Sequence, residues 1–318
     1  MKIKTIAILG SSGFIGTNLL LNFSKKKNYK VFAYFNKKKP IKIKNVKYIK
    51  CNFLNFSETK KKINKNFDII IQAAAQTSGV NDIVNNPQIH VTNNVKINSN
   101  ILDACQKLKI KKFIFFSCTT MYQTSKKPIK EKDFNANIDL EKKYFGVGHT
   151  KLFIEKMCEF FSRITKCKFT AIRHSNIYGP YDKFDLKKSH VFGATISKVL
   201  NSKKEIMVWG RGSEKRDLLY IDDLISFVEK VIQKQKKSFA IYNCGYGKAI
   251  SISNLVKKII IYSKKNLKVR YDLTKPSINT SFAIDTKCAE REIKWKKKIS
   301  LNKGIELTYN WANKNMNI

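Results

Sequence analysis

Three glycines spaced Gly10, Gly13 and Gly16 follow the apolar run Ile6-Ala7-Ile8-Leu9 and precede Phe14 to Phe23, which reads as an amphipathic helix. A buried strand, a tight turn and a helix N-terminus together make a dinucleotide-binding turn. Gly10 turns the chain, Gly13 lets backbone N–H groups approach a pyrophosphate, and Gly16 lets helix pack on strand. Phe14 and Ile15 fall in the first helical turn, where the helix end carries partial positive charge, and join the cofactor set. The spacing is Gly-x-x-Gly-x-x-Gly, not Gly-x-Gly-x-x-Gly. A second predicted strand, Tyr29 to Phe35, ends at Asn36 followed by Lys37-Lys38-Lys39, where an adenosine ribose would lie. A carboxylate there would select the free 2′-hydroxyl; a polar residue followed by cations accommodates a 2′-phosphate, so NADP is favoured and NAD remains possible. The same lysines could be plain surface.

Other candidate cofactor contacts come from the strands and helices that follow. Val46 to Cys51 reads as a third strand, with Asn52 at its end where adenine could sit. Asp68 to Gln72 is a fourth, running into Ala73-Ala74-Ala75, small residues that admit a nucleotide or a tightly packed helix. Thr77 to His90 is a polar loop over the site, Val91 to Leu108 a long helix carrying Asn94, and Lys112 to Phe116 a fifth strand. Strands alternating with helices mean an α/β fold, a doubly wound parallel sheet of the Rossmann type with ligand at the carboxyl ends of its strands.

The 318 residues can bury one large core with a smaller lobe. Lysine plus arginine number 63 against 23 acidic residues, a formal charge of +40. The excess is spread over every segment without aromatic interleaving, so it reads as solvated surface and no nucleic-acid partner is expected. The N-terminal pattern lacks a signal peptide and no apolar run has the length of a membrane span, so a cytoplasmic protein without a membrane partner is expected. Seven cysteines without Cys-x-x-Cys spacing are expected to be reduced, and no metal site is expected.

Farther along, Ser117-Cys118-Thr119-Thr120-Met121-Tyr122 follows the fifth strand, and Tyr144-Phe145-Gly146-Val147-Gly148-His149-Thr150-Lys151 opens a helix to about Arg163. Ser175-Asn176-Ile177-Tyr178-Gly179-Pro180, Ser189-His190-Val191, Val208-Trp209-Gly210-Arg211-Gly212 and Arg216-Asp217 come later. Over nearly its whole length the chain resembles the extended short-chain dehydrogenases/reductases of the NAD-dependent epimerase/dehydratase family, within it the GDP-L-fucose synthase-like enzymes. The resemblance implies a nucleotide-sugar substrate, Lys151 on the nicotinamide ribose, a proton-passing tyrosine four residues before it, and a Ser/Thr hydroxyl. Here the tyrosine position is Val147, which has no proton to give, and the serine position is Cys118, leaving Thr119 to supply a hydroxyl.

Three residues compete for the missing phenol's role. Tyr144 stands two helical turns before Lys151, about 10 Å along a regular axis, and substitutes only if Gly146-Val147-Gly148 folds it back. His149 reads more simply as surface or packing, and Tyr122 as an aromatic near the sugar. The subgroup's epimerisation cysteine is Thr120 here, while its histidine is retained as His190, either a proton-abstracting base or a polar loop contact. Asn176, His190, Lys198, Trp209 and Arg216 are the expected substrate contacts; Arg216 either grips a diphosphate or pairs with Asp217 or Asp222.

Residues 1–175 should form mainly the NAD(P) domain and 176–318 mainly the nucleotide-sugar lobe, with the chain crossing back around 215–245. Ile241 to Gly245 is expected as a strand and turn of the small lobe, Lys275 to Asp285 as a segment closing over the nucleotide, and Trp295 and Trp311 as core. The resemblance implies a homodimer through the helices at Val91 to Leu108 and Lys151 to Arg163. Two functions remain open: an epimerase/reductase on a GDP-linked keto-deoxy sugar, and an impaired dinucleotide-binding sensor or scaffold.

Overall fold

The computed structural model describes residues 3–316 except 187, 276 and 279. The first half of the chain alternates as the periodicity demands: β1 (Lys4–Leu9), α1 (Phe14–Ser24), β2 (Tyr29–Phe35), β3 (Val46–Lys50), α2 (Phe56–Lys62), β4 (Ile69–Gln72), α3 (Val80–Asn85), α4 (Thr92–Cys105), β5 (Lys112–Cys118), α5 (Phe145–Ile164) and β6 (Lys168–His174). The second half contributes β7 (Asn176–Tyr178), α6 (Val191–Asn201), β8 (Glu205–Trp209), β9 (Lys215–Tyr220), α7 (Ile221–Lys234), β10 (Phe239–Cys244), β11 (Ala249–Ser251), α8 (Ile252–Ser263), β12 (Lys268–Asp272), α9 (Lys287–Ile293) and α10 (Leu301–Asn315).

Among the described residues, seven strands form one parallel sheet in the order β10-β6-β5-β4-β1-β2-β3. The chain runs outward from β1 through β2 and β3, then returns to β1's other side with β4, so the order reverses between β1 and β4 and opens a crevice at their carboxyl ends. Both sheet faces are covered, which is why β1 and β4 read as continuous apolar runs. Ala7, Phe113, Phe115 and Ala171 pack with Ile154, Cys158 and Phe161 of α5. Ile8, Ile114, Phe116 and Ile172 pack with Leu19 of α1 and Phe227 and Val231 of α7. β7, β9 and β11 form a three-stranded sheet, and β8 pairs in parallel with β12. Ile241 to Gly245 is corrected here: its strand, β10, is the edge of the large sheet beside β6, because the chain's return across the molecule ends there. Trp295 is buried, whereas Trp311 is half-buried against Tyr181 and Phe184.

Several lysines do structural work that composition hides. Lys112 Nζ donates to the carbonyls of Val231, Ile232 and Gln235 at the end of α7, and Lys265 Nζ to those of Val199, Leu200 and Ser202 at the end of α6. Each cation satisfies carbonyls that a helix end leaves without partners and faces the negative end of its dipole. Burial pushes Lys112 down to about 8.

A buried ion pair ties α5 to the sheet. Arg173 Nη2 lies 2.7 Å from Glu155 Oε2, with both side chains at most 4% exposed. Ser117 Oγ also donates to Glu155, and Arg173 donates to the Tyr122 hydroxyl at 3.0 Å. Tyr122 in turn donates to Asn243 Oδ1 at 2.8 Å. Glu155→Gln keeps the shape but leaves Arg173 without its countercharge, and is expected to cost about 3–5 kcal/mol of unfolding free energy. Urea denaturation checks this; a loss under about 1 kcal/mol would show that the pair does not hold α5 in place.

Candidate functional site

At the glycine turn, backbone meets backbone. A Cβ on Gly10, whose φ is +81°, would lie 2.6 Å from Ala74 Cα; one on Gly16 would lie 2.1 Å from the Gly10 carbonyl oxygen. Gly13 differs, since a Cβ there meets only that oxygen, at 3.4 Å. Two glycines are therefore demanded by the fold, and the third faces open space at the start of α1. That helix begins without a side-chain cap and without an acidic residue in its first turn, where Phe14 and Ile15 lie. Its N–H groups are the partners a pyrophosphate requires, so these residues fit a dinucleotide.

The other sequence-predicted cofactor residues fall along the same crevice or beside it. Ala73 N–H extends the β1–β4 ladder to Leu9, and Ala74 packs against Gly10 while Ala75 is exposed. Asn36 and Asn52 meet at the ends of β2 and β3, 3.3 Å apart and with Lys37, Lys38 and Lys39 exposed beside them. A nearby carboxylate, Glu58, accepts the Asn52 backbone N–H. Asn94 uses its amide locally: it donates to the Gln76 and His90 carbonyls and accepts the Gln76 N–H, stapling the loop before α4.

Lys151, on α5, donates to the Phe116 carbonyl at 2.8 Å and lies over the Phe115 ring. Burial pulls its pKa down, against the opposing influence of Cys118 and Glu155. Val147 occupies the preceding turn. The Gly146-Val147-Gly148 segment does not fold back, contrary to the condition placed on Tyr144: α5 runs through it from Phe145. Those glycines serve close packing, since a Cβ would come within 2.9 Å of Val91 Cγ2 at Gly146 and 2.7 Å of Leu140 Cδ1 at Gly148.

Tyr144 nevertheless reaches a cavity. With Asn176, His190, Lys198, Trp209 and Arg216 it lines one cavity of about 320 Å³. Burial raises its phenol pKa, and Arg216 opposes that rise. Tyr122 is sealed inside the Arg173–Asn243 network, and His149 is exposed against Phe145. Thr119 is buried at the turn after β5, and Cys118 Sγ lies 2.9 Å from Thr120 Oγ1.

Arg216 forms neither anticipated ion pair. Its guanidinium donates to the carbonyls of Lys215, Ile278 and Thr280, while the Asp217 carboxylate accepts the N–H groups of Tyr246, Gly247 and Ile284. Two of its carbonyl partners belong to the segment expected to close over the nucleotide, and Glu214 lines the same cavity. Within that segment Ser277 and Ile278 line the cavity, and Pro276 lies outside the described residues. Lys198 donates to the Met207 carbonyl and lies over the Trp209 ring; Asn176 donates to the Asp217 carbonyl at 3.2 Å.

His190 is the residue just before α6. Although part of it reaches solvent, surrounding protein and the charges of Lys183 and His90 hold its imidazole below the ordinary value, so it is a free base at neutral pH. Sequence reasoning missed two neighbours. His174 ends β6, lies within electrostatic reach of Lys151 and His190, and places Nδ1 2.8 Å from the Ser175 carbonyl, which can only accept. The stretch Thr77 to His90, expected as a polar loop, instead contains α3 and a 3-10 turn at Pro87–His90, and His90 at its end is buried. The only sequence signal was their number, four histidines in the whole chain. Among the described residues no group of three or more His, Cys, Asp or Glu side chains could hold a metal ion, and no helix is long and apolar enough to cross a membrane.

The sequence profile described as the NAD dependent epimerase/dehydratase family matches residues 6–245. The chain belongs to that family. GDP-L-colitose synthase of Yersinia pseudotuberculosis is 28% identical over 311 residues, 95% of this chain and 96% of its own. GDP-L-fucose synthase of Escherichia coli strain K12 is 24% identical over 260 residues, 77% of this chain and 79% of its own. UDP-glucose 4-epimerase of Thermotoga maritima, solved with UDP-glucose, superposes with a TM-score of 0.88 at 22% identity, covering 98% of this chain and 99% of that one. This family member's glycine turn yields a direct prediction. Gly13→Ala should fold with an unchanged melting temperature and lose most dinucleotide affinity by calorimetric titration, whereas Gly16→Ala should destabilise the apoprotein; equal apoprotein melting for both would contradict the geometry.

Proposed function

We propose that the chain is an NADP-linked epimerase and reductase of a GDP-bound keto-deoxy sugar. The observation that carries the reading is that one cavity is lined by Tyr144, Asn176, His190, Lys198, Trp209 and Arg216, with Asn176 two residues past the carboxyl end of β6 in the large sheet. Asn36 with the exposed lysines after it supports NADP over NAD, and the GDP-sugar synthases among the relatives support guanosine diphosphate as the carrier.

Arg216 and Lys198 would grip the diphosphate, the guanidinium in bidentate fashion, while Trp209 and Asn176 hold the rest of the substrate. When bound, the dinucleotide supplies hydride exchange with the sugar carbon. Lys151 would hold its nicotinamide ribose. From its place on the cavity wall, not by folding back toward Lys151, Tyr144 passes its phenolic proton to the sugar oxygen as the carbonyl π electrons collect there, and the Thr119 hydroxyl completes the relay. For epimerisation, His190 takes the proton from the carbon beside the carbonyl, a role suited to an unprotonated imidazole, the electron pair moves to the carbonyl oxygen, and a solvent-derived proton returns to the opposite face of that carbon. Phe153, Phe160 and Ile164 are exposed on α5, which packs against α4, and support a homodimer through these two helices.

Tyr144→Phe should lower hydride transfer by about 10²-fold or more with NADP affinity retained; unchanged turnover would remove Tyr144 from the relay. His190→Asn should abolish solvent-deuterium uptake into a GDP-4-keto sugar, and persistence of uptake would assign that proton to another group. For the dimer, paired Phe153→Glu and Phe160→Glu substitutions should halve the mass measured by light scattering; an unchanged mass would place any interface elsewhere.

A further inference from the structure

The cavity that holds Tyr144 and His190 also carries a carboxylate, that of Glu214. This side chain is half-buried, and among the described residues it makes no hydrogen bond or ion pair. Arg216, two positions on, lines the same cavity, yet its guanidinium donates to the carbonyls of Lys215, Ile278 and Thr280 rather than to Glu214. Carboxylate and cations thus share one cavity without neutralising each other directly.

The backbone fixes where Glu214 sits. Gly210 and Gly212, with φ of +71° and +67°, turn the chain after β8. The Gly212 carbonyl accepts the Ser253 N–H at 2.9 Å and the Glu214 carbonyl accepts the Ile252 N–H at 3.1 Å, so the turn is tied to the start of α8. A Cβ on Gly210 would lie 4.0 Å from Glu214 Oε1 and 2.8 Å from Ser277 Cβ, which sets the carboxylate beside the turn with Ser277 close by. The same cavity wall is otherwise apolar: Ile206, Val208, Ile252 and Val256 line it.

A carboxylate repels a diphosphate, so Glu214 suits an uncharged part of the ligand that donates hydrogen bonds. An apolar wall with one carboxylate matches a flat heterocycle carrying two adjacent N–H donors, which the two oxygens accept in parallel. Guanine offers that pair in its N1–H and 2-amino group. Uracil and thymine present one N–H between two carbonyl oxygens, which a carboxylate repels, and adenine has no second donor beside its amino group. We propose that Glu214 reads the nucleobase, accepting the guanine N1–H and 2-amino group on its two carboxylate oxygens and rejecting pyrimidines. The proposal deepens the nucleotide-sugar reading of this cavity and rests on it.

The test is calorimetric titration of the NADP-loaded protein with GDP, IDP and UDP. IDP carries hypoxanthine, which is guanine without the 2-amino group. The wild type should bind GDP about tenfold more tightly than IDP, and more tightly than UDP. Glu214→Gln keeps the shape but puts a donor where one acceptor stood. It should lose about tenfold or more in GDP affinity and gain affinity for UDP, whose N–H and carbonyl match an amide; a purely structural role for Glu214 would lower both. Equal wild-type affinities for GDP and IDP would overturn the paired contact without any substitution, and a ratio of GDP to UDP affinity unchanged by Glu214→Gln would overturn it as well. Failure of the underlying reading looks different. A wild type that binds UDP as tightly as GDP removes guanosine diphosphate as the carrier and the proposal with it, whereas a GDP preference that survives Glu214→Gln leaves that reading standing and removes Glu214 alone.

Discussion

Glu155 is the point through which the fold and the chemistry depend on each other. Its carboxylate is buried between Arg173 of β6 and Ser117 of β5, and its helix position is one turn beyond Lys151. A charge placed there is tolerable only with its countercharge and hydrogen bonds in place, so α5 has little freedom to slide along the sheet. That constraint brings the Lys151 ammonium to the Phe116 carbonyl at the edge where the strands end. It also recruits Tyr122 into the network, where its hydroxyl is held between Arg173 and Asn243. The remaining phenol that lines the cavity is Tyr144, delivered from just outside the helix rather than from within it.

The backbone contacts at the glycine turn impose the complementary constraint. Gly10 lies against Ala74 and Gly16 against Gly10, which locks β1, β4 and α1 at a distance no side chain permits. The ends of β1 and β4 are thereby fixed relative to α1, and a ligand at Gly13 meets a preformed helix end. Preorganisation of this kind lets binding energy go into the ligand instead of into ordering the loop.

Much of this was legible in the sequence because it follows from short-range pattern. The strand-turn-helix of Ile6 to Phe23 and the alternating sheet announce themselves by local spacing, whereas Asn176, His190, Lys198, Trp209 and Arg216 were picked out by the family resemblance, and one cavity gathers those five. What the sequence hid depends on long-range partners. Nothing local says that Tyr122 finds Arg173, 51 positions away, or that Arg216 leans on carbonyls near 280 rather than on adjacent Asp217. The two glycines before Lys151 suggested irregularity, yet their neighbours Val91 and Leu140 require them for close packing in a regular helix. Likewise the dispersed lysines read as solvated surface, while Lys112 and Lys265 prove to be helix-end clamps.

The central claim is that cofactor and sugar react here although the position one turn before Lys151 is valine. A single-turnover reaction of the unmodified protein with NADPH deuterated at the transferable position and a GDP-4-keto-6-deoxyhexose tests it most directly, with the product examined by mass spectrometry and NMR. The account predicts one deuterium on the sugar carbon that bore the carbonyl. Tight binding of both ligands with no deuterium transferred would contradict it and leave a dinucleotide-binding protein without hydride chemistry.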